Sequence, residues 1–146
     1  MGSVYYLKCS NKSCQYQFSL AEGYSMMEFS KKMDLQEDIL AGNIYAPEKI
    51  KELLKSGHHL STYATFLCPI CKEWKSRKLL YVIETAISPD EDKIFDIKGI
   101  HFLDPIPKCG RCKTELKLLL DPLSSDNCCP KCETGVMNII GGMDYD

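Results

Sequence analysis

The sequence has no long apolar run: its longest unbroken aliphatic and aromatic stretch, Leu79 to Ile83, is far short of the roughly 20 residues a membrane-spanning helix needs. It also lacks an excess of either charge. Eighteen Lys and Arg against 20 Asp and Glu leave a formal net charge of -2 over 146 residues. That balance excludes a surface-wide field for coating nucleic acid or anionic lipid, while leaving room for a local basic patch. Residues 1–6 carry no basic flank leading into an apolar core, so no secretory leader is read there and a cytoplasmic location is expected.

Catalytic signatures are missing as well. The three histidines never form His-x-Glu ahead of Pro-Cys-x-x-Cys, as a zinc deaminase needs, nor His-Glu-x-x-His. Gly-x-x-x-x-Gly-Lys-Ser/Thr, Gly-x-Gly-x-x-Gly and Gly-x-Ser-x-Gly are absent too. Nothing in the chain supports an enzyme. With 26% charged and 45% hydrophobic residues, the composition is that of a folded chain rather than a disordered one.

What the chain does have is cysteine. Nine is an odd number, awkward for a closed disulfide framework and natural for an intracellular metal protein. They fall as Cys9-x4-Cys14, Cys68-x2-Cys71, Cys109-x2-Cys112 and Cys129-x2-Cys132, with Cys128 left over. A Cys-x-x-Cys turn lets two thiolates converge on one cation while backbone amides point at the sulfurs, and two such turns complete a tetrahedral site. Sixteen residues separate Cys112 from Cys129, a zinc-like spacing. Locality therefore predicts one site from Cys109, Cys112, Cys129 and Cys132, and a second from Cys9, Cys14, Cys68 and Cys71 across a 53-residue insertion. The rival pairing joins Cys68 and Cys71 to Cys109 and Cys112, leaving the first and last pairs to meet. About two zinc ions per chain are expected, with iron the second choice because four thiolates suit it as well. A closed four-thiolate site has no open position for water, so its role is structural.

The turns read Cys68-Pro-Ile-Cys71, Cys109-Gly-Arg-Cys112 and Cys129-Pro-Lys-Cys132. With Pro or Gly inside the step, they resemble the knuckles of the zinc-ribbon, or rubredoxin-like, superfamily. The resemblance covers the knuckles and their flanking strands, about half of the chain, and implies metal-pinned three-stranded sheets with no particular activity. Family knuckles often place Gly directly after the second Cys, where this chain has Lys72, Lys113 and Glu133.

The fold class expected is small, metal-stabilised α+β: a split zinc ribbon over 1–103 with a helical insertion at about 24–57, then a compact ribbon over 104–146. The joint is placed at Asp104-Pro105-Ile106-Pro107, where two prolines interrupt any ladder. Strands are expected at 4–7, 15–20, 62–67, 77–84, 93–102, 115–120 and 135–140, with a turn at 88–92 and a frayed acidic tail over 141–146. In the insertion, Met26, Met27, Phe29 and Met33 suggest one helical face. Asp34 suggests the N-cap of a second helix ending at Gly42-Asn43, and 46–57 carries the clearest helix, with Ile50, Leu53 and Leu54 on one stripe.

Three smaller features complete the reading. Lys72, Trp74, Lys75, Arg77 and Lys78 surround the single Trp with cations, a pattern able to stack a base and meet phosphates. The plainer reading has Trp74 covering a metal site or a sheet edge. His58 and His59 follow a helix C-terminus and suit capping better than ligation, and His101 reads as a surface or satisfied core residue. Cys128 reads as a small buried hydrophobe, the alternatives being a reactive thiol or a ligand in place of Cys129. The function these features favour is a metal-pinned module that presents a surface to a protein partner, the alternatives being a module that binds single-stranded RNA or DNA through the Trp74 patch and a rubredoxin-like iron electron carrier.

Overall fold

The computed structural model of the protein describes residues 2–86 and 97–145. The expected turn at 88–92 and the opening of the strand at 93–102 lie outside them. Among the described residues the elements run β1 (Gly2–Cys9), β2 (Gln17–Gly23), α1 (Met26–Ala41), α2 (Glu48–Lys55), β3 (Leu60–Cys68), β4 (Glu73–Thr85), β5 (Ile97–Phe102), β6 (Lys117–Leu119) and β7 (Met137–Tyr145). Two sheets result, ordered β2-β1-β7 and β5-β4-β3-β6.

Pairing in the first sheet joins sequence extremes: β1 runs antiparallel to β2 and to β7, with Gly2 opposite Tyr145 and Cys9 opposite Met137. The tail expected to fray is thus the outer half of a strand. Gly141-Gly142 makes this possible, since a side chain at Gly142 would put its Cβ 2.6 Å from the Val4 carbonyl oxygen. A register shift at Tyr6/Leu7 absorbs one extra residue of β7. In the second sheet β6 is antiparallel to β3, with Thr65 opposite Leu119 and Leu67 opposite Lys117.

Contacts divide the chain into two compact units rather than at a single joint near 104. One comprises Met1–Phe29, Ala64–Arg77 and Pro107–Asp146, the other Ser30–Tyr63 and Lys78–Ile106. The second unit is built on aliphatic packing: Ile39, Ala46, Ile50, Leu53, Leu54, Leu60 and Val82 are buried together, with Leu35, Ile44, Leu80 and Leu103 around them. Ile50, Leu53 and Leu54 are the expected α2 stripe, each contributing about 1.5–3 kcal/mol by burial. Gly57 (φ 98°) ends that helix, and the following amide, of His58, reaches back to the Leu53 carbonyl at 3.0 Å.

The two helices expected before α2 are one. Ser25 Oγ accepts the Glu28 amide at 3.2 Å and Glu28 Oε2 accepts the Ser25 amide at 3.1 Å. This capping box starts the helix well before Asp34, which lies mid-helix. The helix also turns a different face inward. Met26, Met27 and Phe29 are exposed, while Lys32, Gln36 and Ile39 are buried. Gln36 Oε1 is drawn inward because it accepts the Leu60 amide at 3.1 Å, satisfying a buried donor at the start of β3.

Candidate metal centres

Eight cysteines converge into two groups, Cys9 with Cys14, Cys129 and Cys132, and Cys68 with Cys71, Cys109 and Cys112; within each group all sulfurs lie within 4.8 Å of one another. Strand pairing decides the membership. β7 lies against β1, so the turn leading into β7 meets the end of β1; β6 lies against β3, so the turn leading into β6 meets the end of β3. The pairing expected from locality is therefore replaced by its rival. Sequence proximity loses to the long-range ladder between residues 2–9 and 137–145.

Sulfur spacing tests whether the groups fit a metal. Four thiolates at about 2.3 Å from a central ion define a tetrahedron whose edges are about 3.8 Å. The observed separations are 3.6 Å for Cys9–Cys132 and 3.8 Å for Cys14–Cys129, then 3.5 Å for Cys68–Cys112 and 3.7 Å for Cys71–Cys109. These separations match the edge of such a tetrahedron, the remaining ones stay within 4.8 Å, and both groups combine two buried with two half-buried cysteines.

The three Cys-x-x-Cys turns share one backbone conformation. Lys72, Lys113 and Glu133, each following a second cysteine, have φ of 54°, 62° and 60°, and their amides reach the first cysteine's carbonyl at 2.9, 3.0 and 2.9 Å. These are the positions where the resembling family often has Gly, and the geometry keeps the left-handed turn without it. A left-handed non-glycine residue costs about 1–2 kcal/mol, partly offset by the lower unfolded-state entropy of a side chain. Lys113→Gly and Glu133→Gly should each stabilise the metal-loaded protein by about 0.5–1 kcal/mol, read as a higher thermal midpoint; lower midpoints would contradict the strain assigned here.

Amide and hydroxyl donors surround the sulfurs. The Cys71, Asn11 and Gly135 amides point at Cys68, Cys9 and Cys132 at 3.3, 3.4 and 3.4 Å. Thr114 and Thr134, each two residues past a second cysteine, bond Cys112 and Cys132. The Thr134 hydroxyl and the Gly135 and Thr134 amides hold the Cys132 thiol down at about 5. The Cys112 and Arg111 amides bring Cys109 to about 6. Burial acts oppositely on Cys9 and Cys71, pushing each up to about 12. A divalent ion held by the four sulfurs would override that penalty by supplying the charge that keeps them deprotonated.

The Cys9–Cys14 loop has its own brace. Asn11 Oδ1 accepts the Ser13 amide and hydroxyl at 3.1 and 2.8 Å, and Asn11 Nδ2 donates to Thr134 Oγ1 at 3.2 Å. Gly135 passes beneath Cys9 so closely that a Cβ there would lie 2.5 Å from its sulfur. Sequence reading named the eight ligands but not these supports. The recurrence of Cys-x-x-Cys-x-Thr at 109–114 and 129–134 was the available signal.

The basic stretch after Cys71 does not form a base-stacking platform. Trp74 is only 5% exposed and belongs to a core with Leu7, Leu20, Met137 and the cysteines of the first group. Its ring meets Phe18 edge-on at 5.6 Å, and its amide donates to Tyr16 Oη at 2.7 Å. Lys72 pairs with Glu133 at 3.6 Å, Lys75 with Glu73 at 3.8 Å, and Arg77 donates to the Ser76 carbonyl. Trp74 covers the first cysteine group. Trp74→Ala should cost about 3–5 kcal/mol in urea unfolding, and a loss below about 1 kcal/mol would contradict this packing.

The remaining candidates fall outside both groups. His58 Nδ1 lies 2.8 Å from Ser56 Oγ and its Nε2 accepts the Thr85 amide at 3.3 Å, while His101 pairs with Glu84 at 3.1 Å. Cys128 is exposed, not buried as expected, and Cys129 is the buried ligand beside it. No protein-family model, curated protein or solved structure matches the chain.

Proposed function

We propose that this protein is a zinc-ribbon-like module in which two four-cysteine zinc sites do the structural work of a core and the surface they hold is presented to a protein partner. One observation carries the reading: eight cysteines, separated by up to 123 positions, meet in two groups of four whose sulfurs all lie within 4.8 Å of one another, with two separations of 3.5–3.8 Å in each. Four thiolates leave no coordination position for substrate or water, which favours a structural over a catalytic role. Zinc is preferred to iron because closed four-cysteine sites built on Cys-x-x-Cys turns are the usual form of structural zinc. A reducing, cytoplasmic setting suits thiolates held for metal rather than for disulfides. The partner reading rests on β7, which lies at the edge of its sheet and exposes Ile139, Ile140 and Met143. An edge of this kind can receive a further strand.

The test is elemental analysis of protein purified without added metal. About two zinc per chain are expected. A metal-free folded protein refutes the proposal, and iron with visible thiolate absorption replaces zinc with an electron carrier.

A further inference from the structure

The segment that follows one metal site is a wall of the other. Glu73 and Trp74 come directly after the Cys68–Cys71 turn, yet Trp74 packs in the cluster that contains Cys9, Cys14, Cys129 and Cys132. Its amide is held by Tyr16, whose own carbonyl accepts the Cys9 amide at 3.1 Å.

Glu73 makes a second bridge. Its Oε1 lies 3.1 Å from Lys131 Nζ, inside the Cys129–Cys132 turn, and 3.5 Å from Arg111 Nη1, inside the Cys109–Cys112 turn. Lys131 also donates to the Cys71 carbonyl at 3.2 Å. Lys72 and Glu133, the two left-handed residues that close their turns, pair at 3.6 Å. Three of the four ligand turns are tied together through one carboxylate.

From this arrangement we infer that the two sites load metal cooperatively, with Glu73 and Trp74 as the positioning residues that carry the coupling. Metal at Cys68, Cys71, Cys109 and Cys112 fixes the turn from which both residues project. The ordering cost of the other site is then already met when its ion arrives, and by reciprocity the reverse holds equally.

This inference rests on the metal-binding reading above, and the experiment separates the two. Apoprotein is titrated with zinc and the species carrying no, one or two ions are counted by native mass spectrometry. Independent equal sites put half the molecules in the one-metal state at half saturation, and independent unequal sites put more there. A coupling of about tenfold, within the usual range, reduces that share to about one quarter. A one-metal share at or above one half that Glu73→Ala leaves unchanged overturns the inference while leaving metal binding intact; no uptake at any concentration refutes the metal-binding proposal itself. Glu73→Ala keeps all eight sulfurs and Trp74, and should raise the one-metal share while the final stoichiometry stays at two. An unchanged share removes Glu73 from the coupling.

Discussion

Replacing Cys14 and Cys132 together with Ser leaves about one metal per chain at saturating zinc, whereas replacing Cys14 and Cys71 together leaves none tightly bound. The two double variants remove the same number of sulfurs and differ only in whether those sulfurs share a tetrahedron. Pairing by sequence locality gives the reverse, with the Cys14/Cys71 variant keeping one ion. Metal content after exhaustive dialysis distinguishes the two arrangements. Gly135→Ala offers a check that leaves every ligand in place: its Cβ would crowd Cys9 Sγ to 2.5 Å. Zinc affinity at the Cys9 group should fall by at least about tenfold, equivalent to 1.4 kcal/mol, with the stronger loss confined to that group; unchanged affinity would show that the close approach is not needed.

Chelation has the other large effect. Structural zinc contributes about 10–16 kcal/mol in small peptide domains, as much as the whole 5–15 kcal/mol stability of an ordinary domain. The unit holding both sulfur groups has a modest apolar core in which cysteines themselves are members. Removing the metal should therefore abolish amide protection in β1, β2, β6 and β7. The unit formed by Ser30–Tyr63 and Lys78–Ile106 encloses Ile39, Ile50, Leu53, Leu54, Leu60 and Val82 without any cysteine, and α2 should keep measurable protection. Hydrogen exchange before and after chelation reads both. Protection retained throughout β1 and β7 without metal would mean that packing alone suffices.

Local chemistry was legible in the sequence wherever the cause was local. The Cys-x-x-Cys steps announced their ligands, and Pro47, the Ile50/Leu53/Leu54 stripe and Gly57 announced α2. What could not be read was pairing. Nothing near Met137–Tyr145 says that its partner is Gly2–Cys9, because a two-residue period fixes which face a strand shows and not which strand lies beside it. The sulfur pairing follows that ladder, so locality along the chain does not predict it. The start of α1 is local: Ser25 and Glu28 spell a capping box, while Met26, Met27 and Phe29 suggest a hydrophobic face that the helix leaves in solvent. Trp74 had two readings that only burial distinguishes.

The interleaving of the two tetrads bears on how a ribosome makes this protein. Cys112 completes one sulfur set, while the other waits for Cys132, 20 residues further along the chain, a lag of about 1–4 s at ordinary elongation rates. Until Cys129 and Cys132 are added, the nascent polypeptide carries Cys9 and Cys14 without the other half of their sulfur set.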